Sequence, residues 1–206
     1  MPLPDFSKLL KSQLVNLGAA FAPDELAYLA LTGKIEHAVR DRLAYDFYRS
    51  LQLTKPELTV AREWRRVDLA ILENQAPCML LELKAMYSYN MFSPKAATHY
   101  PEAIASDFMK MKQLQAKFDT APAKHFALAI LTHPHGLPTT FQKNVVKYSR
   151  GILKFSPTTF RALRSATLTN FSEHLNCKVR TLSVGTAFDV KVSIYYCLLQ
   201  SPQSTA

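Results

Sequence analysis

No stretch of this sequence approaches the ~18–20 consecutive apolar residues that a membrane-spanning helix needs. The opening, MPLPDFSKLLKSQ, carries an early acid and lacks the long apolar centre of a secretory leader, so a cytoplasmic location is expected. Cysteine is scarce: Cys78, Cys177 and Cys197 are odd in number and far apart. That excludes a disulfide scaffold and any zinc-type ligand spacing, and it predicts free thiols in a reducing compartment. Internal repeats, low-complexity tracts and a second-domain linker are also missing. Acids are in deficit, with 16 Asp and Glu against 25 Lys and Arg.

What remains is the composition of one globular domain over residues 1–206, with 48% hydrophobic and 20% charged residues. The net charge of +9 favours a polyanionic partner without naming one.

Periodicity sets out the elements. Asp5 caps a helix through Leu17, with Gly18 as its stop. Pro23 opens a short second helical turn. Thr32 is the expected N-cap of a longer helix to about Leu51, with Ile35, Val39, Leu43 and Phe47 as its buried stripe and Glu36 at its edge. Leu58–Trp64 reads as a strand. Residues 87–101 read as a loop whose aromatics (Tyr87, Tyr89, Phe92) either reach bases or pack on a helix. Glu102 to Phe118 is helical, and His125–His133 is a strand apolar on both faces, as in the centre of a sheet. Phe141 to Phe155 is basic without one acid: Lys143, Lys147, Arg150 and Lys154 are candidate phosphate contacts, or a solvated face. A helix from Thr158 to Leu175 and two strands, Val179–Val184 and Phe188–Leu199 joined through Gly185, complete the chain. The expected fold is α/β: a mixed central β-sheet flanked by α-helices on both faces. Its core would span about 32–133, followed by the basic helical segment and C-terminal strands over 134–199.

The chemistry concentrates in RRVDLAILENQAPCMLLELK, Arg65 to Lys84. Two apolar runs each carry charge where a buried strand should carry none: Asp68 in the first, Glu82 and Lys84 in the second. A hairpin turning at Asn74-Gln75-Ala76 sets Asp68 across from Glu82. A slip of two residues sets it across from Lys84. Either register leaves all three on one face. Carboxylates ~5 Å apart repel unless a cation lies between them, and oxygen donors suit Mg²⁺ or Mn²⁺. The blander alternative is a cross-strand Asp68–Lys84 ion pair. Against it, Ala70, Leu72 and Leu80 make the rest of that face apolar, so the charges cluster at one end.

An Asp on one strand followed by Glu-x-Lys on the next resembles the PD-(D/E)xK phosphodiesterases, the restriction-endonuclease-like fold. Here the motif stands as Val67-Asp68 and Glu82-Leu83-Lys84; Val67 replaces the family's usual proline. The helix–three strands–helix–strand order over Thr32 to His133 follows the family core. The resemblance implies a Mg²⁺-dependent endonuclease of restriction or defence type acting on DNA, with Mn²⁺ able to substitute. Asp68 and Glu82 would hold the ion with the Leu83 carbonyl. Glu36 would reach the metal through water, or else pair with Arg40. Lys84 would orient or help deprotonate the attacking water and stabilise charge developing on the phosphate. Asp107 and Lys110 match polar positions of several members, although Asp107 reads more simply as the partner of a nearby lysine. A homodimer is common in the family, but no dimer face is marked here. The competing readings are a junction- or transposon-end nuclease and a non-catalytic nucleic-acid- or protein-binding module on a degenerate nuclease fold. His133 and His135 lack further ligands and read as ordinary loop residues, and Trp64 reads as core.

Overall fold

The computed structural model describes residues 2–92, 94–138, 145–146 and 157–201. Six strands form one mixed sheet in the order β1-β2-β3-β4-β6-β5. They are β1 (Leu58–Trp64), β2 (Val67–Glu73), β3 (Ala76–Tyr87), β4 (Lys124–Pro134), β5 (Arg180–Ala187) and β6 (Val190–Gln200). Only β3 and β4 run parallel. They are joined through helix α4 (Pro94–Gln115), the long crossover that a parallel pair requires. Helices α1 (Phe6–Leu17), α2 (Glu25–Thr32) and α3 (Glu36–Thr54) precede the sheet, and α5 (Pro157–Leu175) precedes β5. No described helix is long and apolar enough to cross a membrane. The α/β class and the flanked mixed sheet are therefore as expected. The sheet does not end at β4, however, because β6 pairs with it from Phe126–Gln200 to Pro134–Val192.

Alternation along the strands divides the core. The odd residues of β3 (Met79, Leu81, Leu83, Ala85) and the even residues of β4 (Phe126, Leu128, Ile130) pack with α1, α2 and α3 in one large cluster. Within α3 the stripe Ile35, Val39, Leu43 and Phe47 is buried as expected. Buried aliphatic side chains contribute roughly 1.5–3 kcal/mol each, and this face supplies most of the fold's apolar burial.

Several boundaries fall differently, each for a local reason. Thr32 ends α2 instead of capping α3, and its Oγ1 donates back to the Tyr28 carbonyl (2.9 Å). Gly18 is not a left-handed stop, since its φ is −61° and the chain runs on as a 3-10 turn. A Cβ there would lie 2.1 Å from the Leu182 carbonyl oxygen, so a close backbone approach to β5 demands the glycine. Gly185 lies inside β5, under Asp24 and Ala27 of α2. The turn into β6 uses Phe188 and Asp189, both at positive φ. Helix α4 starts at Pro94, where a proline's fixed φ suits the first turn, and it carries Pro101 internally. The span expected to be loop is thus a 3-10 turn (Ser88–Phe92) and two turns of helix. Tyr87 and Tyr89 take the packing alternative: they stack at 5.2 Å, and the Tyr87 hydroxyl donates to the Ala30 carbonyl (2.5 Å), while the Phe92 side chain lies outside the described residues.

The β2–β3 hairpin has a two-residue turn, Asn74-Gln75, both at positive φ. Glu73 pairs with Ala76 and Leu72 with Pro77, but Ile71 then pairs with Met79. Cys78 is the extra residue of a β-bulge. Beyond it the pairs Ala70–Leu80 and Leu69–Leu81 carry the register that sets Asp68 beside Glu82.

A charged island between two apolar clusters

The face of the sheet under α4 and α5 is not one core but two. Ala70, Leu72 and Leu80 pack with Met111 and Leu114 of α4. Further along, Met86, Ala129 and Leu131 pack with Ile104 and Phe171. Between them β3 presents Glu82 and Lys84, and α4 presents Asp107 and Lys110 directly opposite. Asp68, from the start of β2, completes an island of five ionisable side chains.

Its contacts are specific. Lys110 Nζ forms an ion pair with Glu82 Oε1, lies 3.8 Å from Asp107 Oδ1, and donates to the Arg66 carbonyl (2.8 Å). Lys84 Nζ lies 3.0 Å from Asp107 Oδ2. The register sets the Asp68 carboxyl beside that of Glu82, whose titration it raises. The cross-strand Asp68–Lys84 pair is not formed. Asp107 holds the lysine instead, in agreement with the plainer reading of that residue.

Burial, helped by the neighbouring Asp68, pushes the Glu82 carboxyl up to about 8 against the pull of Lys110. Burial alone would lower the Lys84 ammonium, but Asp107, Glu82 and Asp68 together hold it above the ordinary lysine value. A protonated Lys84 donates and stabilises negative charge; it does not take a proton from water. Of the two roles expected for it, charge stabilisation is the one this environment supports.

Asp68 and Glu36 share a second task. β2 pairs with β3 only as far as Leu69–Leu81. Past that point the amides of Leu83 and Ala85 need other acceptors. Asp68 Oδ2 accepts from Leu83 N (2.7 Å), and Glu36 Oε1 accepts from Ala85 N (2.6 Å). Glu36 makes no ion pair with Arg40, which is bound to Asp41 (2.8 Å) and Glu63 (2.5 Å). Asp68, Glu82 and Lys84 are thus brought together as expected, while Glu36 stands one strand repeat away on the β3 backbone. Among the described residues no three His, Cys, Asp or Glu side chains converge as a metal cage.

The donor set still suits a hard divalent ion: two adjacent carboxylates, and the carbonyl of Leu83 on the strand edge from which its amide meets Asp68, with water for the other positions. Binding there must displace Lys110 from Glu82.

Sequence reading missed the rim. Arg65 and Arg66 form a tight turn at positive φ (49° and 69°), with Arg65 over the Trp64 ring at 5.3 Å. Both are exposed beside the island, because the Arg66 carbonyl binds Lys110. Trp64 is half-buried and rests on Phe118 (5.6 Å). Adjacent arginines after a strand ending in Trp were the available signal. Lys143, Lys147, Arg150 and Lys154 lie outside the described residues.

On the same face, His133 Nδ1 meets Ser88 Oγ (2.9 Å) and His135 Nε2 meets Ser193 Oγ (2.7 Å). His133 is a buried strand residue, not a loop residue. Burial, with His135 and Arg164 nearby, lowers its imidazole to about 4. Unfolded, it titrates near 6.5. The fold therefore favours the neutral ring: its contribution is complete above pH 6.5 and is lost as the pH falls towards 4. The loss is about 3 kcal/mol. Urea midpoints at about pH 7 and pH 4 should differ by less in His133→Asn than in the wild type.

No protein-family model matches this chain, and neither a curated protein nor a solved structure matches it.

Proposed function

We propose that the island is the active site of a metal-dependent phosphodiesterase on a restriction-endonuclease-like core, an endonuclease that cleaves DNA with Mg²⁺. One observation carries this reading: the register sets Asp68 and Glu82 side by side on one face of the sheet, next to a lysine paired with Asp107, where the apolar core is interrupted on both strand and helix. Buried charge of this kind contributes little to stability and often costs it, so its presence points to chemistry.

Asp68, Glu82 and the Leu83 carbonyl would hold the ion. When bound, it polarises the scissile phosphate and lowers the pKa of a coordinated water. Lys84, oriented by Asp107, donates to the phosphoryl oxygen on which charge builds. Glu36 fixes β3 at Ala85 so that Lys84 keeps its aim. Arg65 and Arg66 contact flanking phosphates without reading sequence.

The second reading is a binding module without catalysis. It is favoured by Lys110, whose ammonium pairs with Glu82 and takes the carboxylate an ion would need. Incubation of supercoiled plasmid, single-stranded DNA and RNA with Mg²⁺ or Mn²⁺ separates the two. Nicking that needs the divalent ion and disappears in Lys84→Ala supports the nuclease. Intact substrates together with gel-shift binding support the module.

A further inference from the structure

Outside the island, two of the three free thiols meet at the sheet's edge. β5 begins at Arg180, which pairs with Tyr196 of β6. Past this point the β6 edge is met by Cys177, whose thiol donates to the Leu198 carbonyl (3.3 Å). Its own carbonyl accepts from Ser172 Oγ (2.8 Å), which anchors the turn after α5. Cys197, fully buried on β6, points its sulfur to the same place: its thiol donates to the Cys177 carbonyl (3.6 Å), and Cys177 packs against the buried cluster that contains Cys197. Cys177 is only half-buried and lines a cleft of about 220 Å³ with Lys11, Lys178, Arg180 and Tyr196. One sulfur is thus open to solvent among three cationic side chains. The other waits behind it.

We propose that Cys177 and Cys197 are a peroxide-reactive dithiol, with Cys177 as the attacking sulfur, Cys197 as the resolving sulfur and a hydroperoxide as the substrate class. The Cys177 thiolate attacks the terminal peroxide oxygen. The O–O bond breaks, an S–O bond forms, and the departing alkoxide or hydroxide takes up a proton as alcohol or water. The Cys177 sulfenic acid is then displaced at sulfur by Cys197, which forms the disulfide and releases water. The two thiols are oxidised together and one hydroperoxide is reduced.

The cleft's charges act on the first step. Arg180 favours the anionic sulfur, and Lys11 and Lys178, which line the same cleft, make it cationic where the negative oxygen leaves. The neighbouring Cys197 thiol, aided by Arg180, lowers the Cys177 thiol below the ordinary cysteine value despite partial burial. Cys197 is displaced upward by its Cys177 neighbour and by burial, so it stays protonated until the sulfenic acid forms. Cys78 is the internal control: it is buried at the β2–β3 bulge, and burial and Glu73 push its thiol up to about 11.

The test is to treat the reduced full chain with equimolar hydrogen peroxide, alkylate it under denaturing conditions and map peptides without reduction. The expected product is a Cys177–Cys197 cross-linked peptide pair within one chain, Cys78 fully alkylated, and complete reversal by dithiothreitol. Cys197→Ala should stop at a Cys177 sulfenic acid that dimedone traps. The double variant Lys178→Ala, Arg180→Ala should react severalfold more slowly with the same end product. The proposal is overturned if both cysteines remain alkylatable, if Cys78 oxidises first, if the first disulfide joins two chains, or if wild-type Cys177 proceeds to sulfinic acid without cross-linking.

Discussion

Asp68→Asn should leave the fold intact and abolish cleavage. The amide oxygen of asparagine can still accept from Leu83 N, so the strand-edge hydrogen bond survives. What disappears is the anion. Losing groups that merely orient metal ligands costs about 10–100-fold, so losing a ligand should cost at least about 100-fold in Mg²⁺-dependent turnover. Lys84→Met should cost about 10²–10³-fold, as removal of a charge-stabilising donor does. The two variants separate ion binding from charge stabilisation. The Asp68→Asn variant should need far more Mn²⁺ to show any rate, while the Lys84→Met variant should keep its metal dependence with a depressed maximum. Calorimetric titration of Mg²⁺ and nicking rates measured side by side would check both. Equal nicking by wild type and Asp68→Asn would remove the nuclease reading and leave the carboxylate a backbone acceptor.

The largest effect on stability is expected far from the island. Gly18→Ala places a methyl carbon 2.1 Å from the Leu182 carbonyl oxygen, a backbone atom that no rotamer can move. Relief needs α1 to draw back from β5 and open a cluster in which Leu14 and Leu17 are buried. Overpacking of a tight core costs about 1–3 kcal/mol, and this contact should cost about 3 kcal/mol or more, lowering the urea midpoint at unchanged slope. Gly136→Ala is the control. A Cβ there meets nothing within 4 Å, so a change within about 0.5 kcal/mol is expected. Equal effects in the two variants would mean that chain entropy and not the Leu182 contact sets the requirement.

The strand content of the site was legible because period-2 alternation exposes a misplaced charge at once. Asp68, Glu82 and Lys84 each interrupt an apolar run; the expected turn over Asn74-Gln75-Ala76 and the observed two-residue turn followed by the Cys78 bulge give the same register, which puts them on one face. The α3 stripe was legible for the same reason at period four. Partners were harder. Asp107 and Lys110 sit on a helix with its own amphipathic pattern, and nothing local says that Asp107 will meet Lys84 or that Lys110 will take Glu82. Glu36 illustrates the opposite error. Spacing offers Arg40 as its mate, but the strand end of β2 creates a stronger demand, an unpaired amide at Ala85. Glycines and caps mislead where tertiary packing decides: Gly18 and Gly185 serve close approaches, and Thr32 bonds backwards into its own helix. Pro101 reads as a helix boundary, yet Pro94 has already started the helix.

Cys78 has no charge, no ligand and no partner in the island. The two acids nevertheless meet only because it is there. A two-residue turn without the bulge would carry the Glu73–Ala76 pairing straight down the hairpin and set Asp68 against Leu81, on the opposite side of the sheet from Glu82 and Lys84. One residue therefore works like a frame setting in a message: it carries no content, and it determines how everything after it is read. Deleting it would leave every charged letter of the island in place and spell a different surface. In chains that share this layout, the count of residues between the aspartate and the glutamate should be read together with the bulge, since neither alone decides which face the acids share.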